Sequence, residues 1–247
     1  MSYSTNAIVY TNEKSLPRIN IPHIKSVKNK WTNDDVIEFY EKIPIDVLRN
    51  WAIEGGFEEG CDIDLAYPYI ADTRSLIDLG GGYGRVTNRL ITNGYQGKIY
   101  IVERSQGFYE HLIKNFSQRA NITQQDIQRF SPVQKVEAIL WMWSGIGDFS
   151  KEEQLPILKQ ICTWLKPGGT LVLETILHTC VPNNATVNDG RSFVISTKYG
   201  TFYGYKASSE EIQEYGEQLG FKYIKHINYL TPLGRPRVVH ILSNTVI

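Results

Sequence analysis

The stretch from Ser75 to Arg85, Ser-Leu-Ile-Asp-Leu-Gly-Gly-Gly-Tyr-Gly-Arg, constrains the fold more than any other part of the chain. Its apolar start predicts a buried strand, and the spacing of Val86, Leu90 and Ile91 behind it predicts a helix. The glycines between them permit a tight turn with positive φ and a close approach of the backbone to a ligand. The sequence therefore predicts a strand, a glycine turn and a helix N-terminus whose N–H groups face a bound molecule.

Strands and helices alternate along the rest of the chain. Apolar and β-branched runs predict strands at 98–103, 121–125, 136–143, 170–176, 221–229 and 238–242. Helical stripes, such as Phe108, Leu112 and Phe116, fall between the earlier strands. This alternation predicts an α/β fold with a doubly wound, mostly parallel sheet of seven strands. Ligands bind beyond the carboxyl ends of the strands in such sheets, so functional residues are expected just after each strand.

Two helices are predicted before the first strand, and a β-hairpin after the fifth. The helices begin at Thr32 and near Ile45 and are expected to cap one end of the sheet. The sequence thus divides into an N-terminal arm and helical cap, 1–70, and a main domain, 71–247. The hairpin is expected within an insert at 177–207, where aromatic residues are frequent.

The charge balance excludes several classes of partner. Lys and Arg number 26, and Asp and Glu number 26, so the net charge is zero. No nucleic-acid or membrane-surface partner is therefore expected, and the basic run at 25–30 is expected to be solvated.

No run approaches the roughly 18 apolar residues of a membrane-spanning helix, and no signal peptide is visible. The three cysteines are few and irregularly spaced, as in reduced thiols, so a cytoplasmic protein is expected.

The glycine turn does not fit the dinucleotide-binding fingerprint, because the third glycine position of G-x-G-x-x-G is occupied by Arg85. The spacing Asp-x-Gly-x-Gly-x-Gly from Asp78 to Gly84 instead resembles the cofactor loop of class I S-adenosylmethionine-dependent methyltransferases. Later motifs extend the resemblance over roughly residues 70–176. Glu103 ends the second strand, Asp126 ends the third, and Lys-Pro-Gly-Gly at 166–169 precedes the fifth.

The resemblance implies a Rossmann-like fold, S-adenosylmethionine as cofactor and S-adenosylhomocysteine as product. It implies that Glu103 accepts hydrogen bonds from the ribose diol and that Asp126 and Ile127 hold the adenine ring. The loop from Asp78 to Gly82 would hold the methionine part. The full set of implied cofactor contacts is Asp78, Gly80, Gly81, Gly82, Tyr83, Glu103, Arg104, Asp126, Ile127 and Trp141.

Methyl transfer depends mainly on alignment of nucleophile, methyl group and sulfur. A general base helps where the nucleophile must first lose a proton, and the sequence offers Asp148 after the fourth strand and His178 after the fifth. A structural role is equally open for both residues. Aromatic side chains on the cap, after strand four and in the insert would enclose an apolar or cationic small molecule. These candidates for substrate binding are Tyr40, Trp51, Trp143, Tyr199 and Tyr203.

Related classes are excluded by missing residues. Spermidine synthases follow their triple glycine with an aspartate, where this chain has Tyr83. Plant-type O-methyltransferases use a histidine after strand four, and adenine amino-methyltransferases and cytosine C5 enzymes need a proline-containing motif there. The segment Trp-Ser-Gly-Ile-Gly at 143–147 has neither. His178 and Cys180 lack a second pair at metal-ligand spacing, so no metal is expected.

The sequence thus predicts a methyltransferase that acts on an oxygen or nitrogen atom of a small-molecule acceptor. It is expected to be a monomer or homodimer. Two alternatives stay open, a cofactor-binding protein without turnover and a methyltransferase acting on a protein or RNA.

Overall fold

Eight strands form the central sheet of the described part of the chain. The computed structural model describes residues 7–10, 31–182, 185–188 and 190–245, so the predicted solvated run at 25–30 lies outside the described residues. The strands of this sheet are β1 Ile8–Val9, β2 Ser75–Leu79, β3 Lys98–Glu103, β4 Ala120–Gln124, β5 Val136–Trp141, β6 Leu165–Ile176, β10 Tyr223–Leu230 and β11 Pro236–Ser243. The helices are α1 Asn33–Lys42, α2 Ile45–Gly55, α3 Cys61–Ala66, α4 Arg85–Thr92, α5 Gln106–Phe116, α6 Lys151–Cys162 and α7 Ser209–Gln218.

The predicted doubly wound sheet is confirmed. Strands β2 to β6 run parallel, and β11 joins the edge of β6 antiparallel. The sheet has one strand more than the predicted seven, because the two-residue β1 pairs with the outer side of β10. The strand order across the sheet is β1-β10-β11-β6-β5-β2-β3-β4. It reverses at β2, which lies between β3 and β5. The carboxyl ends of β2 and β5 therefore flank the place where doubly wound sheets bind ligands.

Successive side chains of β2 and β5 point to opposite faces of the sheet, so both strands contribute to an apolar core on each face. Ile77 and Ile139 belong to an apolar cluster with α6 and α7, whereas Leu76 and Leu140 belong to a second cluster with α3 and α4. All five residues of β2 are buried, as expected of a central parallel strand covered by helices on both faces. This packing fixes the position of the glycine turn that follows β2.

The described part of the insert contains three strands, where the sequence predicts a hairpin. The predicted hairpin is present as β8, Ser192–Thr197, and β9, Gly200–Tyr205. A further strand, β7, Ala185–Asn188, pairs with β8 to complete an antiparallel sheet. Strand β9 packs against α1, so the insert and the N-terminal helices share an interface.

The sequence does not predict the short helix α3, since six residues are too few to show a helical pattern. Two buried aspartates of α3 form ion pairs with α4, in which Asp62 binds Arg85 and Asp64 binds Arg89. These pairs anchor the N-terminal helices to the helix that begins at the glycine turn. The division of the chain at residue 70 stays a prediction.

No helix in the described part of the chain is long and apolar enough to cross a membrane.

A histidine pair joins β10 and β11 on the side of the sheet that faces α7. His226 and His240 are cross-strand partners, and their Nδ1 atoms lie 2.7 Å apart. His240 is fully buried, with Nε2 2.8 Å from Thr175 Oγ1, and His226 Nε2 lies 3.3 Å from Gln213 Oε1. Burial lowers the pKa of both imidazoles, and for His240 the charge of protonated His226 lowers the pKa further.

We predict that this histidine pair destabilises the fold below about pH 6.5. The unfolded chain binds protons there that the folded pair does not bind, so the free energy of unfolding falls as pH decreases. The loss is at most about 1.4 kcal/mol per pH unit for each proton. In the double variant His226→Asn, His240→Leu this decrease in the free energy of unfolding at low pH is expected to be absent.

The measurement is the free energy of unfolding in urea at about pH 7.5 and about pH 5.5, compared between the two proteins. Asp78 and Asp148 have pKa values raised to about 7, so their protonation stabilises the folded state as the pH falls. This contribution is the same in both proteins and cancels when their free energies of unfolding are compared. An identical pH dependence in wild type and double variant would contradict the prediction.

Candidate active site

The glycine turn after β2 leaves open space above its backbone. Gly80 and Gly82 have φ values of 68° and 53°, a region that side chains disfavour. A Cβ atom on Gly80 would meet no atom within 4 Å, whereas one on Gly84 would lie 2.3 Å from the Phe116 ring. Gly84 is therefore needed for packing of α5, and Gly80 borders a cradle that a side chain would fill. The Gly80 and Gly81 N–H groups donate to the carbonyl of Val102, which fixes the turn against β3.

A cleft open to solvent begins at this turn and runs along the carboxyl ends of β2, β3, β4 and β5. Every residue for which the resemblance implies a cofactor contact lines it. Two of the five predicted substrate-binding residues and one of the two predicted bases also line it. The predicted residues in the cleft are Tyr40, Asp78, Gly80, Gly81, Gly82, Tyr83, Glu103, Arg104, Asp126, Ile127, Trp141, Trp143 and Asp148.

Four predicted site residues do not line the cleft. Trp51 stacks on Phe39 at 5.9 Å, and Tyr203 stacks on Trp31 at 6.1 Å. Tyr199 packs beside the cluster built on Phe39 and Leu48. Trp51 thus packs within the cap, and the two tyrosines pack between the cap and the insert. His178 lies near Glu210 at the start of α7, because β6 and the turn after it carry the chain away from the glycine turn. Of the two predicted bases, only Asp148 lies with the cofactor residues.

Glu103 holds the two loops at the cofactor end of the cleft. Its Oε2 accepts the Gly82 N–H at 2.7 Å, and its Oε1 accepts the N–H groups of Arg104 and Ser105, both at 2.8 Å. A carboxylate has about four acceptor sites, so one remains on Oε2 for a ligand hydroxyl. Burial raises the pKa of Glu103, and the three N–H donors partly offset that rise.

Asp78 offers an acceptor to the same part of the cleft. It is 1% exposed, and its Oδ2 accepts a hydrogen bond of 3.0 Å from Thr87 Oγ1. Its Oδ1 is buried and has no hydrogen-bond partner among the described residues. Burial raises the pKa of Asp78 to about 7, an effect that the Thr87 hydrogen bond and the Arg85 charge partly offset. A buried, uncompensated carboxylate oxygen suits an ammonium group of a ligand.

Arg104 joins the cofactor residues to the cap. Its Nη1 donates to Asp126 Oδ2 at 3.3 Å and to Asn33 Oδ1 at 3.0 Å, and its guanidinium lies over the Tyr40 ring. Asn33 in turn donates to the carbonyl oxygen of Asp148 at 3.1 Å. Helix α1 is therefore tied to the cleft at both of its ends.

Asp148 lies on the wall of the cleft beyond β5, partly exposed. Burial raises its pKa to about 7, and the charge of Arg104 and a hydrogen bond from the Tyr40 hydroxyl partly offset that rise. A carboxyl group with a pKa near neutrality can hold or release a proton under physiological conditions, as a general base must.

Several residues that line the cleft, among them Arg85 and Asn33, are not among the predicted site residues. Arg85 is buried and forms two hydrogen bonds with Asp62, at 2.7 and 2.8 Å. A signal for Arg85 was present in its position directly after the last glycine of the turn. Nothing in the local sequence marks Asn33, since its role depends on Arg104, 71 residues away.

Together these groups fit S-adenosylmethionine. Asp78 Oδ1 is placed for the ammonium group, the free site of Glu103 for a ribose hydroxyl, and the open space above Gly80 for the ligand itself. Asp126 and Ile127 lie farther along the same cleft, as the resemblance implies for the adenine ring.

We predict that Gly80→Leu abolishes binding of S-adenosylhomocysteine, since the new side chain would occupy the cradle. Gly94→Leu is the matched control, because Gly94 also has positive φ and a Cβ atom there also meets nothing within 4 Å. Both variants are expected to lose about 1–2 kcal/mol of stability from backbone strain. Calorimetry should show at least about a 100-fold loss of affinity for Gly80→Leu alone. Equal affinities in the two variants would refute this placement of the ligand.

Glu103→Ala is expected to weaken S-adenosylhomocysteine binding by about 1.5–3 kcal/mol, the range for a hydrogen bond to a charged group. Glu137→Ala is the control. Glu137 also accepts a backbone N–H, from Arg74 at 2.7 Å, but it does not line the cleft. Isothermal titration of both variants measures the effect, and an unchanged dissociation constant in Glu103→Ala would place the ribose elsewhere.

The chain is similar to curated and structurally characterised methyltransferases. Over 102 residues it is 28% identical to the N-terminal Xaa-Pro-Lys N-methyltransferase 1 of Xenopus tropicalis. That match covers 40% of this chain and 45% of the relative, less than half the length of either.

Solved structures show the same fold at low identity. The 1,6-didemethyltoxoflavin-N1-methyltransferase of Burkholderia thailandensis, determined with S-adenosylhomocysteine, superposes with a TM-score of 0.62 at 13% identity, and the match covers 87% of each chain. DesVI of Streptomyces venezuelae gives 0.56 at 18% identity, with 85% of this chain and 98% of that chain covered. The glycopeptide N-methyltransferase MtfA gives 0.59 at 14% identity, with coverage of 75% and 93%.

A family model described as AdoMet dependent proline di-methyltransferase matches residues 64–192, just over half of the chain. This range includes the glycine turn, Glu103, Asp126 and Asp148. The chain belongs to the AdoMet-dependent proline di-methyltransferase family, and is thus an enzyme that uses S-adenosylmethionine.

Proposed function

We propose that this enzyme methylates a nitrogen atom, and that its acceptor is a small-molecule amine. The observation that carries this proposal is the carboxylate of Asp148, which lies in the same cleft as the cofactor residues and has a pKa of about 7. An aliphatic amine is protonated at neutral pH and has no lone pair to attack with. It becomes a nucleophile only after a nearby base takes its proton.

The surroundings of Asp148 suit a cationic acceptor. Arg85 is paired with Asp62 and Arg104 with Asp126, so neither cation leaves an uncompensated positive charge in the cleft. The rings of Tyr40, Trp141 and Trp143 supply aromatic wall that attracts cations and excludes water.

S-adenosylmethionine supplies the electrophilic methyl group. The residues of the chain bind and orient the reactants, which in favourable cases lowers a barrier by about 7–11 kcal/mol. Asp148 accepts the proton of the amine, a contribution of about 10²–10⁴-fold. The Tyr40 hydroxyl donates a hydrogen bond to Asp148 and thereby stabilises the ionised form that acts as base.

Nitrogen as the target atom is supported by the family description and by the names of the relatives, three of which are N-methyltransferases. A small acceptor is supported by the roof that α1 and α2 form over the cleft through Asn33, Tyr40 and Leu48. We also propose that the N-terminal helices and the insert, which pack on each other, select the acceptor.

A second candidate is the amine of a polypeptide N-terminus. The Xenopus relative, whose name specifies an Xaa-Pro-Lys N-terminus, favours it. A methyl-transfer assay with radiolabelled S-adenosylmethionine, run on a panel of small amines and on Xaa-Pro-Lys peptides, separates the two. Methylation of peptides alone would replace the small-molecule proposal, and methylation of hydroxyl compounds alone would overturn both. A cytoplasmic location and a monomeric or homodimeric state stay predictions from the sequence.

We predict that kcat/KM with the amine decreases as pH falls below about 7, because protonated Asp148 cannot act as base. Tyr40→Phe removes a hydrogen bond that lowers the pKa of Asp148, so the decrease should begin at a higher pH. Asp148→Asn should lose about 10²–10⁴-fold in kcat and no longer show this dependence.

Tyr199→Phe serves as the control, since Tyr199 does not line the cleft. Its pH profile should match that of the wild type. S-adenosylhomocysteine affinity should be similar in all four proteins. A pH profile that Asp148→Asn leaves unaltered would exclude Asp148 as the base.

A further inference from the structure

Two residues that follow β5 adopt a backbone conformation normally left to glycine. Trp143 has φ of 52° and Ser144 has φ of 60°, and no other non-glycine residue in the described ranges has positive φ. Such a conformation is strained for a residue with a side chain, and it persists only where surrounding contacts enforce it. Trp143 is also one of the residues that line the cleft.

Ser144 is held in this conformation by four hydrogen bonds. Its N–H donates to the carbonyl oxygen of Glu174 at 2.9 Å and to Glu174 Oε2 at 3.0 Å. Its hydroxyl accepts the Ile176 N–H at 3.0 Å and Arg237 Nη2 at 2.7 Å. The N–H and the hydroxyl of the residue are therefore bound to β6 or β11, and the turn cannot relax without breaking these hydrogen bonds.

The two residues that hold Ser144 form a buried ion pair. Arg237 Nε and Nη2 donate to the two carboxylate oxygens of Glu174 at 2.6 and 2.7 Å, and the Tyr229 hydroxyl donates to Oε1 at 2.9 Å. Glu174 and Tyr229 are fully buried and Arg237 is 6% exposed. The register of β6 and β11 rests on seven paired residues, so the sheet has no need of this ion pair for alignment.

The same pair supports the Trp143 side chain from behind. The Arg237 guanidinium lies 4.9 Å from the centre of the Phe57 ring, and Phe57 lies 5.8 Å from the Trp143 ring. Arg85 lies 5.6 Å from Phe57 and 5.8 Å from Trp143. The indole is thus packed against a cation and an aromatic ring, and it also lines the cleft.

We propose that Glu174 and Arg237 are positioning residues, which fix Trp143 in the cleft wall and thereby set the affinity for the acceptor. This role rests on the proposed amine methylation. A buried ion pair adds little net stability over apolar residues of the same size, so fold stability alone does not account for it. The turn it holds is the part of the structure that depends on its charges and hydrogen bonds.

The test is fluorine NMR of protein labelled with 5-fluorotryptophan, which gives one resonance for each of the five tryptophans. Trp143→Phe assigns the Trp143 resonance. The test variant is Glu174→Gln with Arg237→Met, which removes both charges together. The control is Asp64→Asn with Arg89→Met, which removes another ion pair with a buried carboxylate that does not touch Ser144.

In the test variant the Trp143 resonance should shift or broaden and should cease to respond to S-adenosylhomocysteine, while the Trp164 resonance stays in place. The control should leave Trp143 unchanged. Ser144→Ala, which keeps the core charges, should move the same resonance in the same direction. If the double variant does not fold, this single variant decides the question. An unmoved Trp143 resonance in the folded test variant, or in Ser144→Ala, would overturn the proposal.

Kinetics with the amine found in the assay give a second readout. The test variant should raise KM for the amine at least about tenfold while the dissociation constant of S-adenosylhomocysteine changes less than about threefold. An unchanged KM would overturn the role in acceptor affinity. If no amine is methylated by the wild type, the proposed function fails, but the NMR result still decides whether the ion pair positions Trp143.

Discussion

The geometry of the cleft depends on the hydrogen bonds that the Glu103 carboxylate accepts. It binds one N–H group of the glycine turn and two at the start of α5, so a single side chain joins the segments that follow β2 and β3. The glycine turn and the residues before α5 are held next to each other in this way. Loss of the carboxylate would leave three N–H groups of the cleft floor without an acceptor, at a cost of about 1–3 kcal/mol for each that stays buried.

The roof of the cleft is attached to residues that are predicted to bind the cofactor. Arg104 bonds both Asp126 and Asn33, and on the other side Tyr83 donates to Glu58, which also accepts from Arg49 of α2. The N-terminal helices are therefore held by the same side chains that border the predicted adenine and methionine positions. The roof and the predicted cofactor residues are thus joined by hydrogen bonds on two sides of the cleft.

Features whose signal lies within a few neighbouring residues are predictable from the sequence. Features that depend on contacts between residues far apart in the chain are not. The glycine turn, the strands and the carboxylates at strand ends are encoded within a few residues of one another, and the structure has them where they were predicted. His178, Trp51, Tyr199 and Tyr203 were predicted for the site from their position after strands or on the cap, which does not reveal which face a side chain takes. Glu174 and Arg237 lie 63 residues apart, and the two strained residues of the turn, Trp143 and Ser144, are not glycines.

A cofactor that binds the folded protein ties the lifetime of the enzyme to the cofactor supply. A ligand that binds only the folded form adds RT ln(1 + [L]/Kd) to the free energy of unfolding. At a ligand concentration one hundred times the dissociation constant this amounts to about 2.7 kcal/mol. Asp78 Oδ1, which has no hydrogen-bond partner among the described residues, would gain one if the ammonium group binds there as predicted. A cell short of S-adenosylmethionine and its product would hold a larger unfolded fraction of this enzyme, which proteases remove first.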